Sequence, residues 1–145
     1  MRLVVVAVGR VKDRVMRAAI DEYLTRVRRY VACDEIEIPD GPASKLEPAL
    51  AKATAGATVI ALEVDGRAVE SAVFARDLER YASRGKGIVA FLIGGADGLP
   101  PAVSRAADAR LSLSSLTFPH RLARLVLVEQ IYRAMTILRG EPYAH

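Results

Sequence analysis

Three stretches of this 145-residue chain carry groups that could bind a ligand or move a proton. The first is "IGGADG", where Gly94 and Gly95 close an apolar run. Glycines there allow positive φ and close approach of the backbone to a ligand. The segment lacks the Lys-Ser/Thr of a phosphate-binding loop and does not spell GxGxxG. It also follows the fourth strand-like run, whereas a dinucleotide-binding fold carries its glycines after the first. The second is "LSLSSLTFPH", residues 111–120. Ser114, Ser115 and Thr117 are small and leave room beside the backbone, and Leu113, Leu116 and Phe118 could line an apolar slot. Pro119 cannot donate a hydrogen bond and disfavours helix at Phe118, so the turn stays extended until a helix begins near His120. The third is a set of titratable side chains on and after that helix: His120, Glu129, Arg133, Tyr143 and His145. His120 has a near-neutral reference pKa, suited to proton transfer, and capping or solvent contact at a helix start is as good an account of it. Arg133 could hold a phosphate or a developing oxyanion; the competing role is an ion pair with Glu129, four residues earlier.

The elements that must position these groups alternate. Leu3 to Val8 is a continuous apolar run, as expected of a strand buried on both faces. Val15, Met16, Ala19, Ile20, Tyr23, Leu24, Val27 and Val31 recur at helical spacing. Ile36 and Ile38 in "DEIEIP" read as a half-exposed strand. Ser44 and Glu47 have capping-box spacing for a second helix, with Pro48 placed in its first turn. "TVIALEV" (58–64) is a strand followed by a turn at Asp65-Gly66, and Ser71 is a candidate cap for a helix to about Ser83. Ile88 to Ile93 is another buried strand; a short helix over 102–107 leads into "ARLSLSSL". The last helix spans about His120 to Leu138, with Gly140 as its C-cap. The pattern predicts one α/β domain over 1–145, with a mostly parallel sheet of about five strands and flanking helices. In such sheets ligands bind outside the carboxyl ends of the strands, which selects the loops after Val64, Ile93 and Leu116.

Composition narrows the classes. With 52% hydrophobic and 26% charged residues the chain can build a core, and no apolar run reaches the roughly 20 residues of a membrane helix. "MRLVVVAVGR" is too short in its apolar block for a secretory signal and reads as a first strand. A single cysteine, Cys33, permits no internal disulfide, so a reducing cytoplasm is expected. One Cys and two His exclude a one-chain zinc ribbon, and no metal is expected. Net charge is +4, mostly from arginine, whose guanidinium suits phosphate contact; an Arg- and Ala-rich composition is also what a GC-rich genome produces.

"FLIGGADGL", "LSLSSLTFPH" and "RLVLVEQIYRAMTILRGEPY", with "LVVVAVGRVKD", "EYLTRVRRY" and "EIEIPD", together resemble the small SPOUT methyltransferases that modify a pseudouridine of large-subunit ribosomal RNA at N3. The resemblance spans nearly the whole chain. It implies a C-terminal trefoil knot, a homodimer, and S-adenosylmethionine bound in the knot at Leu62, Gly94 and Leu113 to Phe118 (Leu113, Ser114, Ser115, Leu116, Thr117 and Phe118). It implies ribosomal RNA, within the large subunit or the assembled ribosome, as substrate. N3 of pseudouridine is protonated at neutral pH, so His120, Arg133 and Tyr143 become the candidates for removing its proton or holding the base. Family members carry a histidine directly after this tyrosine; here Ala144 stands there and His145 is one residue out of register, so that role is not carried over. The excess apolar surface of the last helix (Leu125, Val126, Leu127, Val128, Ile131, Tyr132) suits a twofold interface. The alternative from another class is a non-catalytic RNA-binding α/β protein of the ribosome.

Overall fold

The computed structural model describes residues 1–143. Five parallel strands form one sheet in the order β2-β1-β4-β3-β5: β1 (Arg2–Val8), β2 (Ala32–Ile38), β3 (Thr58–Ala68), β4 (Ile88–Ile93) and β5 (Ala109–Ser112). The apolar runs sit where two-sided burial demands them. β1 is flanked by β2 and β4, and Leu3, Val5 and Ala7 point to one face while Val4, Val6 and Val8 point to the other. The first face is covered by α1 (Arg14–Val27), α3 (Ser71–Ala82) and α5 (His120–Arg139), through Ile20, Leu24, Phe74, Leu78, Leu127 and Ile131. The second is covered by α2 (Ala43–Ala53), through Leu46 and Leu50, with Val103 of α4 (Pro101–Ala106) packed against it.

The chain leaves the neighbouring strands β3 and β4 toward opposite faces, to α3 on one side and α4 on the other. Their carboxyl ends therefore open a crevice. β3 is longer than its apolar pattern suggests. Leu62 and Arg67 both register against Leu111 of β5, so residues 63–66 bulge out and the strand returns. "EVDGRA" is an excursion within a strand rather than a terminal turn. Gly66 makes the return possible, since a Cβ there would stand 2.8 Å from the backbone of Leu111.

Other local expectations are corrected. α1 ends at Val27, and Val15 is 80% exposed, because the core-facing stripe of a helix starting at Arg14 runs through Met16, Ile20, Leu24 and Val27 and Val15 lies off it. The N-cap of α1 is Asp13, whose carboxylate accepts the Met16 N–H. The capping box at Ser44 is absent: α2 starts at Ala43 behind Pro42, with no side-chain cap. Pro48 lies in the second turn on the exposed side, where the carbonyl it orphans is open to water. Ser71 is the first residue of α3, not its cap, and its hydroxyl donates to Gln130 Oε1 of α5 at 2.7 Å. Gly140 closes α5 in the left-handed region, φ 65°, as its type predicts.

Candidate functional site

A cleft lies at the crevice between β3 and β4. It holds about 240 Å³ of water-accessible space and is open to solvent on one side. Three chain segments line it. Leu62, Glu63 and Val64 come from the start of the β3 bulge, Ile93 to Ala96 and Gly98 from the loop after β4, and Leu111, Leu113, Ser114 and Leu116 to Phe118 from the turn after β5. His120 and Ala123 of the first turn of α5 complete the wall. The bend with the glycine pair and the serine-rich bend therefore face each other across one rim of the sheet.

Local chemistry explains each wall. Gly94 packs edge-on against the return of its own loop, and a Cβ on it would stand 2.5 Å from the Gly98 carbonyl carbon and the Leu99 nitrogen. No side chain fits between them, so the floor of the cleft is main chain. The serine-rich turn holds itself: Ser112 Oγ donates to the Ser114 carbonyl at 3.0 Å, and the Leu116 N–H donates to Ser114 Oγ at 3.0 Å. That bonding satisfies the hydroxyls internally and pushes Leu116 outward, 71% exposed at the mouth of the cleft opposite Val64, 51% exposed. The bulge wall is braced from outside by Arg110, which pairs with Asp65 at 2.7 Å.

Of the residues that the sequence singles out, Leu62, Gly94, Leu113, Ser114, Leu116, Thr117, Phe118 and His120 line this one cleft. Ser115 does not; it is exposed on the outer side of the turn. Arg133 and Tyr143 lie elsewhere. Arg133 is thirteen residues after His120 on α5, roughly 20 Å along the helix axis at 1.5 Å per residue. It pairs with Glu129 at 2.9 Å, and its guanidinium sits 4.6 Å from the centre of the Tyr143 ring. The Tyr143 hydroxyl donates to Glu129 Oε2 at 2.9 Å, and its ring meets Tyr132 edge-on. Burial, then the neighbouring Tyr23 hydroxyl and the Glu129 carboxylate, raise the Tyr143 phenol above its usual range, so it is a neutral donor here. His145 lies outside the described residues.

The glycine and serine-rich stretches bring Gly95, Ala96, Gly98 and Leu111 into the cleft with the residues named from them, while Glu63 and Ala123 are lining residues that sequence reading missed. It also missed Arg124, the largest side chain that is fully buried. The available signal was an arginine on the apolar face of α5, between Leu122 and Leu127. Among the described residues no group of His, Cys, Asp and Glu is arranged to hold a metal ion, and no helix is long and apolar enough to cross a membrane.

Comparison with known proteins agrees with this geometry. The whole chain, residues 1–145, matches the family described as "Predicted SPOUT methyltransferase". It is 74% identical over 145 residues to ribosomal RNA large subunit methyltransferase H of Sorangium cellulosum, covering 100% of both chains. It is 43% identical to the protein of the same name from Listeria monocytogenes, covering 99% of each. Among solved structures, a tRNA methyltransferase of Aquifex aeolicus superposes with a TM-score of 0.59 at 10% identity, over 100% of this chain and 75% of that one. An S-adenosylmethionine-bound rRNA methyltransferase of Sinorhizobium meliloti gives 0.52 at 13% identity, over 91% of this chain and 56% of that one. At these identities the structural likeness carries the fold alone.

Proposed function

The chain belongs to the SPOUT methyltransferase family, and from that premise we propose that it transfers the methyl group of S-adenosylmethionine to N3 of a pseudouridine in large-subunit ribosomal RNA, on assembled ribosomes in the cytoplasm. The observation that carries the reading is the cleft: two bends that share a rim, one with a floor of main chain at Gly94 and one with apolar side chains turned to the mouth. Such a site fits an adenine and a methionine moiety. Leu116, Phe118 and Leu62 would pack on the ring, and the Gly94–Gly98 and Leu113–Thr117 backbones would meet its polar edges.

When bound, the sulfonium supplies a methyl carbon open to in-line displacement. The chain must then bring the nucleobase to that carbon and accept or stabilise the loss of its N3 proton. His120, which lines the wall of the cleft, would act on that proton. Its Nδ1 is buried and has no hydrogen-bond partner among the described residues, so the ring is held with one nitrogen inward. Arg133 and Tyr143 would hold a base or a phosphate, though not at the cleft of their own protomer, where neither is a lining residue. The separation along α5 supports a homodimer in which the tail of one copy meets the cleft of the other. Ile137, 41% exposed near the end of α5, adds apolar surface for that contact. The same reading takes the whole chain as one domain and the bulge at 63–66 as part of a trefoil knot threaded by the C-terminal segment.

Titration calorimetry with S-adenosylhomocysteine tests the cleft, with binding expected and saturable. Methyl-transfer assays on assembled ribosomes, free subunits and naked rRNA, read by nucleoside mass spectrometry, test the substrate. N3-methylpseudouridine from ribosomes alone is the expected product; a different methylated nucleoside overturns the assignment.

A further inference from the structure

Arg124 is 0% exposed, yet it is the most polar side chain in the protein interior. It sits one turn into α5, directly after Ala123 and four residues after His120, both of which line the cleft. Its Nη1 donates to Glu35 at 2.8 Å and to Glu37 at 2.5 Å, both on β2, and its Nη2 donates to the Gly9 carbonyl at 3.2 Å, just past β1. Arg17 of α1 braces the same carboxylates, at 2.6 Å from Glu35 and 3.7 Å from Glu37. Glu37 also accepts the Val11 N–H at 3.1 Å. The guanidinium thus ties α5 to two strands, while Arg17 adds α1 to the cluster. The His120 ring lies at the same junction: its Cε1 is 3.7 Å from where a Cβ on Gly9 would stand.

Two further facts give this cluster its meaning. The N-terminus of α5 has no side-chain cap, since Pro119 occupies that position. The wall Leu113–His120 is therefore a span fixed at β5 and, at its far end, only by what holds α5. Moreover, a buried ion cluster is a poor way to gain stability, because desolvation consumes most of the Coulombic gain and an apolar core of the same volume does as well or better. What an apolar contact lacks is direction, which three donated hydrogen bonds supply.

We propose that Arg124 is a positioning residue for the methyl-donor cleft: it clamps the start of α5 to the ends of β1 and β2, so that the Leu113–His120 wall and the His120 ring stand in their ligand-ready places before a ligand arrives. The inference rests on the methyl-donor reading of the cleft. It separates geometry from stability, and the two are measurable apart.

Three variants decide it, with thermal melting and S-adenosylhomocysteine calorimetry on each. Arg124→Met leaves Glu35 and Glu37 facing an apolar group and lowers Tm. Arg124→Met with Glu35→Gln and Glu37→Gln removes the stranded charges, and its Tm recovers most of that loss. Affinity does not recover with it and stays at least about tenfold below that of the unaltered protein, the scale of lost charged hydrogen bonds. Leu50→Ala, in the core on the opposite face of the sheet, lowers Tm and leaves affinity unchanged. Affinity that returns with Tm in the triple variant, or that falls equally in Leu50→Ala, reduces Arg124 to a structural residue and overturns the inference. Failure of the unaltered protein to bind S-adenosylhomocysteine defeats the methyl-donor reading itself, a result distinct from either of these.

Discussion

The two ends of α5 carry the candidate catalytic groups, and they are built in different ways. At the first end His120 lines the cleft, and Arg124 is locked into the body of the protomer by its hydrogen bond to the Gly9 carbonyl and by ion pairs to β2. At the other end Arg133 and Tyr143 turn in on their own helix through Glu129, and none of the three touches the cleft. One end is a finished wall. The other is a set of polar aromatic and cationic groups parked in internal pairs roughly 20 Å away. If both sets serve the proposed reaction, a single protomer holds one at the cleft and the other away from it, and the mutations that matter should fall into two classes with different signatures.

The largest expected effect is at the finished end. Gly94→Arg drives a side chain into backbone 2.5 Å away and fills the floor of the cleft. Calorimetry with S-adenosylhomocysteine should show no binding, with the circular dichroism of the fold retained. Affinity within a few-fold of the unaltered protein would remove Gly94 from the site.

Tyr143→Ala should give the opposite signature. Cofactor affinity stays unchanged, since Tyr143 does not line the cleft, and turnover on ribosomes falls roughly 100-fold or more, the weight of one group acting on a reacting proton. Mixing the two dead variants sharpens the comparison. If the tail acts on the partner's cleft, a heterodimer pairs the intact cleft of Tyr143→Ala with the intact tail of Gly94→Arg, and activity returns. A mixture as inactive as its parts would place tail and cleft in the same protomer.

The clamp at the finished end also has a pH signature. Burial alone would raise the Glu37 carboxyl, but hydrogen bonds from Arg124 and the Val11 N–H, with the charges of Arg124 and Arg17, outweigh it and hold the group below the usual carboxylate range. A folded-state value below the unfolded one, about 4.3, means the stabilisation is complete above that pH and is lost as pH falls through the folded value. Urea unfolding at neutral pH and near pH 3 should therefore show the deficit of Glu37→Gln shrinking in acid. A deficit constant across that range would deny Glu37 its charged role.

How much of this was readable beforehand follows the same division. Strand and helix order was legible because runs such as Leu3–Val8 and the 3.6-residue period of α5 are imposed by burial itself. The cleft was legible in outline because ligands bind outside the carboxyl ends of parallel strands and the resemblance selected the glycine and serine-rich bends there; either bend alone also reads as an ordinary turn. The β3 bulge was not, since "VDG" reads as a turn, and only pairing with β5 shows the strand resuming at Arg67. Arg124 was hidden for a related reason: an arginine within a helix is solvent-facing by default, and its carboxylate partners lie 87 and 89 residues away. The displacement of Arg133 and Tyr143 from the cleft is likewise a three-dimensional fact with no local signature.

A smaller effect tests how firmly the displaced end is held. Gly140 ends α5 at φ 65°, where a side chain is strained, and the tail carrying Tyr143 departs from it. Gly140→Ala should cost about 1 kcal/mol in urea unfolding. Since the strain sits between the helix and the tail, it should also lower turnover more than cofactor affinity. Equal losses in both would tie the tail to the cleft of its own protomer.

The smallest effect concerns Val15, which the helical period assigns to the core and the structure leaves 80% exposed in the first turn of α1. Val15→Lys should change unfolding free energy by no more than about 0.5 kcal/mol, as for any open surface site. Ile20→Ala, one and a half turns later and 0% exposed, should cost about 2–4 kcal/mol. The contrast bears on the two ends of α5 because α1 packs into the core shared with that helix through Met16, Ile20 and Leu24 and not through Val15. A Val15→Lys variant that instead lost several kcal/mol would mean the face is covered in solution. The second copy inferred from the tail would then be docking over α1 as well, and the twofold contact would be wider than α5 alone.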